Sequence, residues 1–159
     1  MAMENLTASD GTTSQAELGE YRVIKGVGYQ YCKANGAIAA YSACTVSNAG
    51  VATASTTTTA TALGTAGGAA VIPQFAVADT EYFWGFAGPG TLREDDSTPL
   101  KVLAANVTAG NQLYSTATSG VLDDDSSGST IKLNDATLVT TVTTQAATAV
   151  SASRKMLWK

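Results

Sequence analysis

The amino-acid sequence predicts an all-β protein, a single β-sandwich, jelly-roll or small β-barrel domain, and three observations predict it. Short runs of β-branched and aromatic residues recur along the chain, separated by Gly, Asn and Asp turns. No window of twelve or more residues sustains an amphipathic period of 3.6. Ala, Thr, Ser and Gly make up about half of the 159 residues, a texture that suits half-buried pleated strands better than helices.

Residues 1–20 are rich in Thr, Ser, Asp, Gly and Glu, with almost nothing large to bury, and read as an extended N-terminal arm. Such a segment becomes ordered when its own domain or a neighbouring subunit holds it down, and the neighbour is the expectation here. The β domain proper is expected over residues 21–153. Tyr21-Arg22-Val23-Ile24 opens it, Gly26 and Gly28 permit a bend, and Tyr29-Gln30-Tyr31-Cys32 alternates. Ala34-Asn35-Gly36 supplies a hairpin turn, since Asn-Gly tolerates positive φ. Residues 41–46 make a strand, Asn48-Ala49-Gly50 turns it, and residues 51–54 return.

Residues 70–76 and 82–86 are the most apolar pair of strands, flanking the turn Ala78-Asp79-Thr80-Glu81. Pro73 cannot donate to a ladder, which places the first of them at an edge or bulge. Residues 93–99 form a charged loop. Further strands are expected at 101–103, 112–114, 131–133 and 136–144. Residues 147–158 either close the sheet or leave the domain, and residues 154–159 are read as the C-terminal tail. The stretch Tyr41 to Val51 echoes Tyr114 to Val121 as strand, Gly turn and return strand. Low-complexity composition makes chance matches common, so duplication and coincidence both stand.

The chemistry available is narrow. The sequence has no His, which removes the commonest general base and metal ligand and makes Ser-His-Asp or Cys-His catalysis impossible within one chain. None of the six Lys sits in a Ser-Lys motif, and no phosphate-binding glycine loop is present. The net charge of −4 with scattered Lys and Arg disfavours nucleic acid and anionic membranes as partners. Cys32 and Cys44 match no zinc pattern; two buried thiols are expected, with a disulfide the alternative.

Glu94-Asp95-Asp96 and Asp123-Asp124-Asp125 could in principle serve glycoside hydrolysis, but both fall in hydrophilic turns. Asp123 to Gly128 overlaps a calcium-loop pattern and then departs from it at Ser127 and Asn134, so a solvated turn is the better reading. No enzyme activity, metal or cofactor is expected. No signal peptide is visible, which implies synthesis in a cytoplasm.

The aromatic strand is the informative element. Period 2 puts Phe83 on one face and Tyr82, Trp84 and Phe86 on the other. Either both faces are core, or one is a subunit interface anchored by Trp and Tyr. Met156-Leu157-Trp158, an apolar triplet between Lys155 and Lys159, must pack on its own domain or on a neighbour. Leu6, Tyr82, Trp84, Phe86, Met156, Leu157 and Trp158 are therefore the candidate interface residues.

The order Gln74-Phe75-Ala76…Tyr82-Phe83-Trp84-Gly85, then Lys101-Val102-Leu103-Ala104, then Leu113-Tyr114-Ser115-Thr116-Ala117-Thr118-Ser119-Gly120-Val121-Leu122-Asp123-Asp124 resembles the capsid decoration (cement) proteins of tailed bacteriophages. The likeness covers roughly residues 21–155 and is one of texture and order. It departs at Phe83, where the group brings Gly beside Trp, and in the polar arm. The resemblance implies a structural virion protein on the capsid exterior, a homotrimer bound to the major capsid protein and stabilising the capsid, with no catalytic site. A phage head fibre or spike that binds host glycans is the alternative; copy number per particle and glycan-array binding separate the two.

Overall fold

A computed structural model of the chain describes residue 6 and residues 8–24, 26–56, 69–87, 90–91, 101–125, 132–138, 141–143, 148–151 and 156–158. Among these residues the fold is all-β, with thirteen strands in two curled sheets and no helix. The strands are β1 (Tyr21–Ile24), β2 (Val27–Ala34), β3 (Cys44–Val46), β4 (Val51–Ala54), β5 (Ala69–Val71), β6 (Tyr82–Phe86), β7 (Gly90–Thr91), β8 (Lys101–Ala104), β9 (Gln112–Ser115), β10 (Leu122–Asp123), β11 (Lys132–Leu138), β12 (Thr148–Ser151) and β13 (Met156–Trp158). The first sheet runs β1-β2-β4-β3-β5 with β6 on the other edge of β2; the second runs β12-β8-β10-β9-β11-β13-β7.

The two sheets repeat one scheme. In the first, β2 pairs β4 in parallel and β6 antiparallel, β3 pairs β4 and β5 antiparallel, and a lone bridge joins Ile38 to Val77. In the second, β8 pairs β10 in parallel and β12 antiparallel, β9 pairs β10 and β11 antiparallel, and a lone bridge joins Val107 to Val142. The registers coincide. Ala34 faces Ala52 where Ala104 faces Leu122, and Thr45 faces Thr53 where Tyr114 faces Asp123.

The core follows the same equivalence. One cluster holds Cys32, Ala34, Ile38, Cys44, Ala52 and Val71. At the matching positions the second sheet has Val102, Ala104, Val107, Leu113, Leu122 and Leu133, all in the other cluster. The echo noted in the sequence is thus a repeated hairpin, with Gly50-Val51 matched to Gly120-Val121. Tyr114 matches Thr45 rather than Tyr41, because the strand before each turn is counted back from the ladder.

A small corner recurs with the Ile38–Val77 and Val107–Val142 bridges. Ile38, Val77 and Val107 are each followed three residues later by a positive φ, at Tyr41, Thr80 and Gly110. The N–H groups of these three donate to the carbonyls of Pro73, Ala34 and Leu138, each four residues before the partner of the bridge. The left-handed turn lets the chain leave the bridge and begin the next strand without leaving those carbonyls unpaired. Two of the three positions carry side chains, so the hydrogen bond outweighs a local preference for Gly.

Several expectations shift. The Ala34-Asn35-Gly36 turn, with Gly36 at φ +84, does not make a hairpin, since β2 pairs β6 and β4 and not β3. The strand expected over residues 41–46 shortens to β3. Residues 132–138, drawn from the strands expected at 131–133 and 136–144, form the single strand β11, with a register shift between Lys132 and Thr137, and Val142 makes only its bridge to Val107. Pro73 does lie just past an edge strand, β5. The charged loop at 93–99 lies outside the described residues.

Candidate interaction surface

The aromatic strand β6 is covered on both faces. Phe83, fully buried, belongs to the cluster of Cys32 and Cys44, while Trp84 and Phe86 belong to the other cluster with Tyr29 and Tyr31. The alternation expected from period 2 therefore holds. Trp84 at 4% exposure and Phe86 at 0% are core residues of this chain. Tyr82 is half-buried at the margin, its ring stacked on Tyr31 at 6.0 Å with the Lys33 ammonium 5.4 Å over its face. Trp84 lies 5.0 Å from Tyr31, tilted by 49°.

The N-terminal arm docks on its own domain. Asp10 N–H donates to the Tyr82 carbonyl and Tyr82 N–H to the Gly11 carbonyl. Gly19 N–H donates to Tyr31 O at 2.9 Å, and Tyr31 N–H returns to Glu20 O at 2.8 Å. Tyr31 Oη ties the segment from beneath, accepting from Gln15 N–H and donating to Asp10 Oδ2, both at 2.9 Å. Burial, with the Asp10 carboxylate adding to it against the Gln15 bond, raises the Tyr31 phenol above its ordinary pKa. Leu6, Ala16 and Leu18 pack on the core. The physical reason is that few large residues suffice when backbone groups find a strand edge to pair with.

The C-terminal triplet is likewise taken up. Met156 to Trp158 forms β13 between β11 and β7, with Leu157 opposite both Thr137 and Thr91. Of the expected tail, the backbone of Met156–Trp158 is thus part of the second sheet.

Among the described residues the exposed large hydrophobic side chains lie on β1. It pairs β2 and ends the first sheet, and its burial alternates so that Tyr21 and Val23 are 45% and 62% exposed while Ile24 packs inward. Arg22 lies over the Trp84 ring at 5.1 Å and reaches Glu20 Oε1 with Nε and Nη2 at 2.6 Å. The two exposed side chains were missed in the sequence because an alternating strand does not say which face meets water. The Arg22–Trp84 contact had no local signal, since the two are brought together by the pairing of β1 and β6 with β2.

Among the described residues no group of three potential metal ligands occurs. Asp124 Oδ2 accepts from Thr108 N–H and Asn111 Nδ2 at 2.8 and 2.7 Å. Partial burial works to raise its pKa, but these bonds outweigh it and hold the carboxyl below its ordinary range. Asp123 is pushed up by burial. Asp124 thus fastens a turn. Residues 126–128 and Glu94-Asp95-Asp96 lie outside the described residues. Cys32 and Cys44 are both buried and unbonded, and burial pushes the Cys32 thiol up to about 12 and Cys44 further.

No family model, no curated protein and no solved structure matches this chain.

Proposed function

We propose that this chain is a structural virion protein that binds the outer surface of a tailed-phage capsid, as a homotrimer on the major capsid protein, and cements neighbouring capsomers. The observation that carries the reading is the outward pair Tyr21 and Val23 on a strand fixed to the core. An exposed apolar pair on a stiff edge is an anchor that loses little conformational freedom when buried. The resemblance of residues 21–155 to decoration proteins supplies the partner class.

In this reading binding energy is the function. Each copy buries area on more than one capsid subunit, and repetition around a three-fold axis makes weak single contacts durable together. The test is incubation of the purified chain with expanded capsids, followed by counting its copies against the major capsid protein by mass spectrometry. Stoichiometric, saturable decoration in hundreds per particle is expected. Absence of binding to capsids of its own phage sinks the reading.

A further inference from the structure

The sequence contains one Asn-Gly pair, Asn35-Gly36, and the fold sets it at the end of β2, where Lys33 faces β4 along one edge and β6 along the other. Both residues of the pair are exposed, and Gly36, at φ +84, has open space where a Cβ would stand. Asn-Gly is the dipeptide most prone to lose its side-chain amide, because no side chain shields the nitrogen that follows. In that reaction the Gly36 nitrogen gives up its proton and attacks Asn35 Cγ. The Cγ–Nδ2 bond breaks, and ammonia leaves carrying that proton. Water then opens the succinimide ring on either side, giving aspartate or isoaspartate. Nothing is oxidised or reduced, and water is the only co-reactant.

The structure draws the reacting groups apart. Asn35 Nδ2 donates to Thr53 Oγ1 on β4 at 3.2 Å, whereas Gly36 N–H donates to Asp79 Oδ1, in the turn before β6, at 2.7 Å. The leaving group is thus held toward one edge of β2 and the nucleophile toward the other. The main chain about the pair is held in the same way. Asn35 N–H donates to Ala52 O on the β4 side, while on the β6 side Ala34 N–H donates to Glu81 O and Thr80 N–H to Ala34 O. Just beyond, Ile38 N–H donates to Val77 O. Attack requires the Gly36 N–H to leave Asp79. It also requires that nitrogen to take on negative charge, which a carboxylate 2.7 Å away opposes.

We propose that Asn35-Gly36 is a self-modification site that Asp79, with Thr53 opposite, holds shut. Opening of this turn starts an irreversible change. Asn35 becomes a carboxylate beside Asp79, and the isoaspartate form adds a methylene to the main chain between β2 and the Ile38–Val77 bridge. The Asp79 carboxylate thereby sets how long the chain keeps its native charge and register. This inference is independent of the capsid partner.

The test follows loss of the Asn35 amide by tandem mass spectrometry in the full chain, held in neutral buffer or unfolded in concentrated urea. The native parent is expected to react at least about ten-fold more slowly than the unfolded chain. Native Asp79→Ala should react at least about ten-fold faster than the native parent, as loss of a hydrogen bond to a charged group implies. Asp79→Asn, which keeps an acceptor oxygen without the charge, should fall between the two, and in urea the three chains should match. Asn48, Asn106 and Asn111 are also exposed but precede Ala49, Val107 and Gln112, and they should stay slow in every native chain. A native parent as fast as the unfolded chain, Asp79→Ala no faster than the parent, or acceleration at the other three in step with Asn35 would each overturn the proposal. Should Asp79→Ala be unfolded by circular dichroism, Asp79→Asn decides: acceleration at Asn35 alone supports the proposal, and the parent's rate overturns it. Capsid binding enters none of these readouts, so the proposed function stands or falls separately.

Discussion

At the scale of single residues, Gly120 and the two cysteines make the clearest statements. Gly36 and Gly120 share a left-handed φ, +84 and +74, but a Cβ at Gly36 has open space and one at Gly120 collides with Ser42. Gly36→Ala is expected to cost about 1 kcal/mol from backbone strain alone. Gly120→Ala adds overpacking of about 1–3 kcal/mol. Chemical denaturation of both variants isolates the packing component by difference. Equal losses would mean that the segment carrying Ser42 yields freely.

Cys32 and Cys44 occupy positions that the second repeat fills with Val102 and Leu113, so the thiols act as small hydrophobes. Their raised pKa values carry a sign. Below the ordinary thiol pKa of about 8.5 both states are protonated, and nothing is lost. Above it the unfolded chain ionises while the native chain does not, until the pH passes the folded value, about 12 for Cys32. Native stability should therefore fall from about pH 8.5 upward, by about 1.4 kcal/mol per pH unit for each thiol. Replacing both by Val is expected to flatten that decline at a cost under about 1.5 kcal/mol each at neutral pH. Urea melts at pH 7 and pH 10 compare the two. An equal alkaline loss in the double variant would assign the effect elsewhere.

At the scale of elements, β6 joins the two cores through alternate faces. Phe83 fills one cluster, Trp84 and Phe86 the other. Truncating Phe83 to Ala should cost about 3–5 kcal/mol. Because its neighbours along the strand hold the second core, unfolding should remain a single transition by calorimetry. Two separated peaks would show that the repeats melt independently. The edge strand β1 behaves otherwise. Tyr21→Ser with Val23→Asp changes exposed positions, so its stability should stay within about 1 kcal/mol of the parent. On the proposed function, capsid occupancy, assayed by co-sedimentation, should fall at least ten-fold. Undiminished occupancy would remove β1 from the interface.

At the scale of the whole molecule, the all-β class, most strand positions and the facing of β6 were legible in the sequence. Each depends on period-2 alternation and on turn residues that act over a few positions. The repeat was half legible: Gly50-Val51 and Gly120-Val121 look alike, but the pairing that makes them equivalent joins residues far apart. The candidate surface was read less well. Trp84 and Phe86 carry the composition of an anchor and turn out to be buried, while Tyr21 and Val23 sit outward. Composition cannot distinguish them, since burial is decided by which sheet lies over which face. The arm makes the same point. Its few large residues foretold a segment in need of support, and local chemistry alone determined that much. That the support is the chain's own β2 and β6, by way of Tyr31, was decided only by tertiary structure, because a free strand edge exists only once the strands beside it have paired.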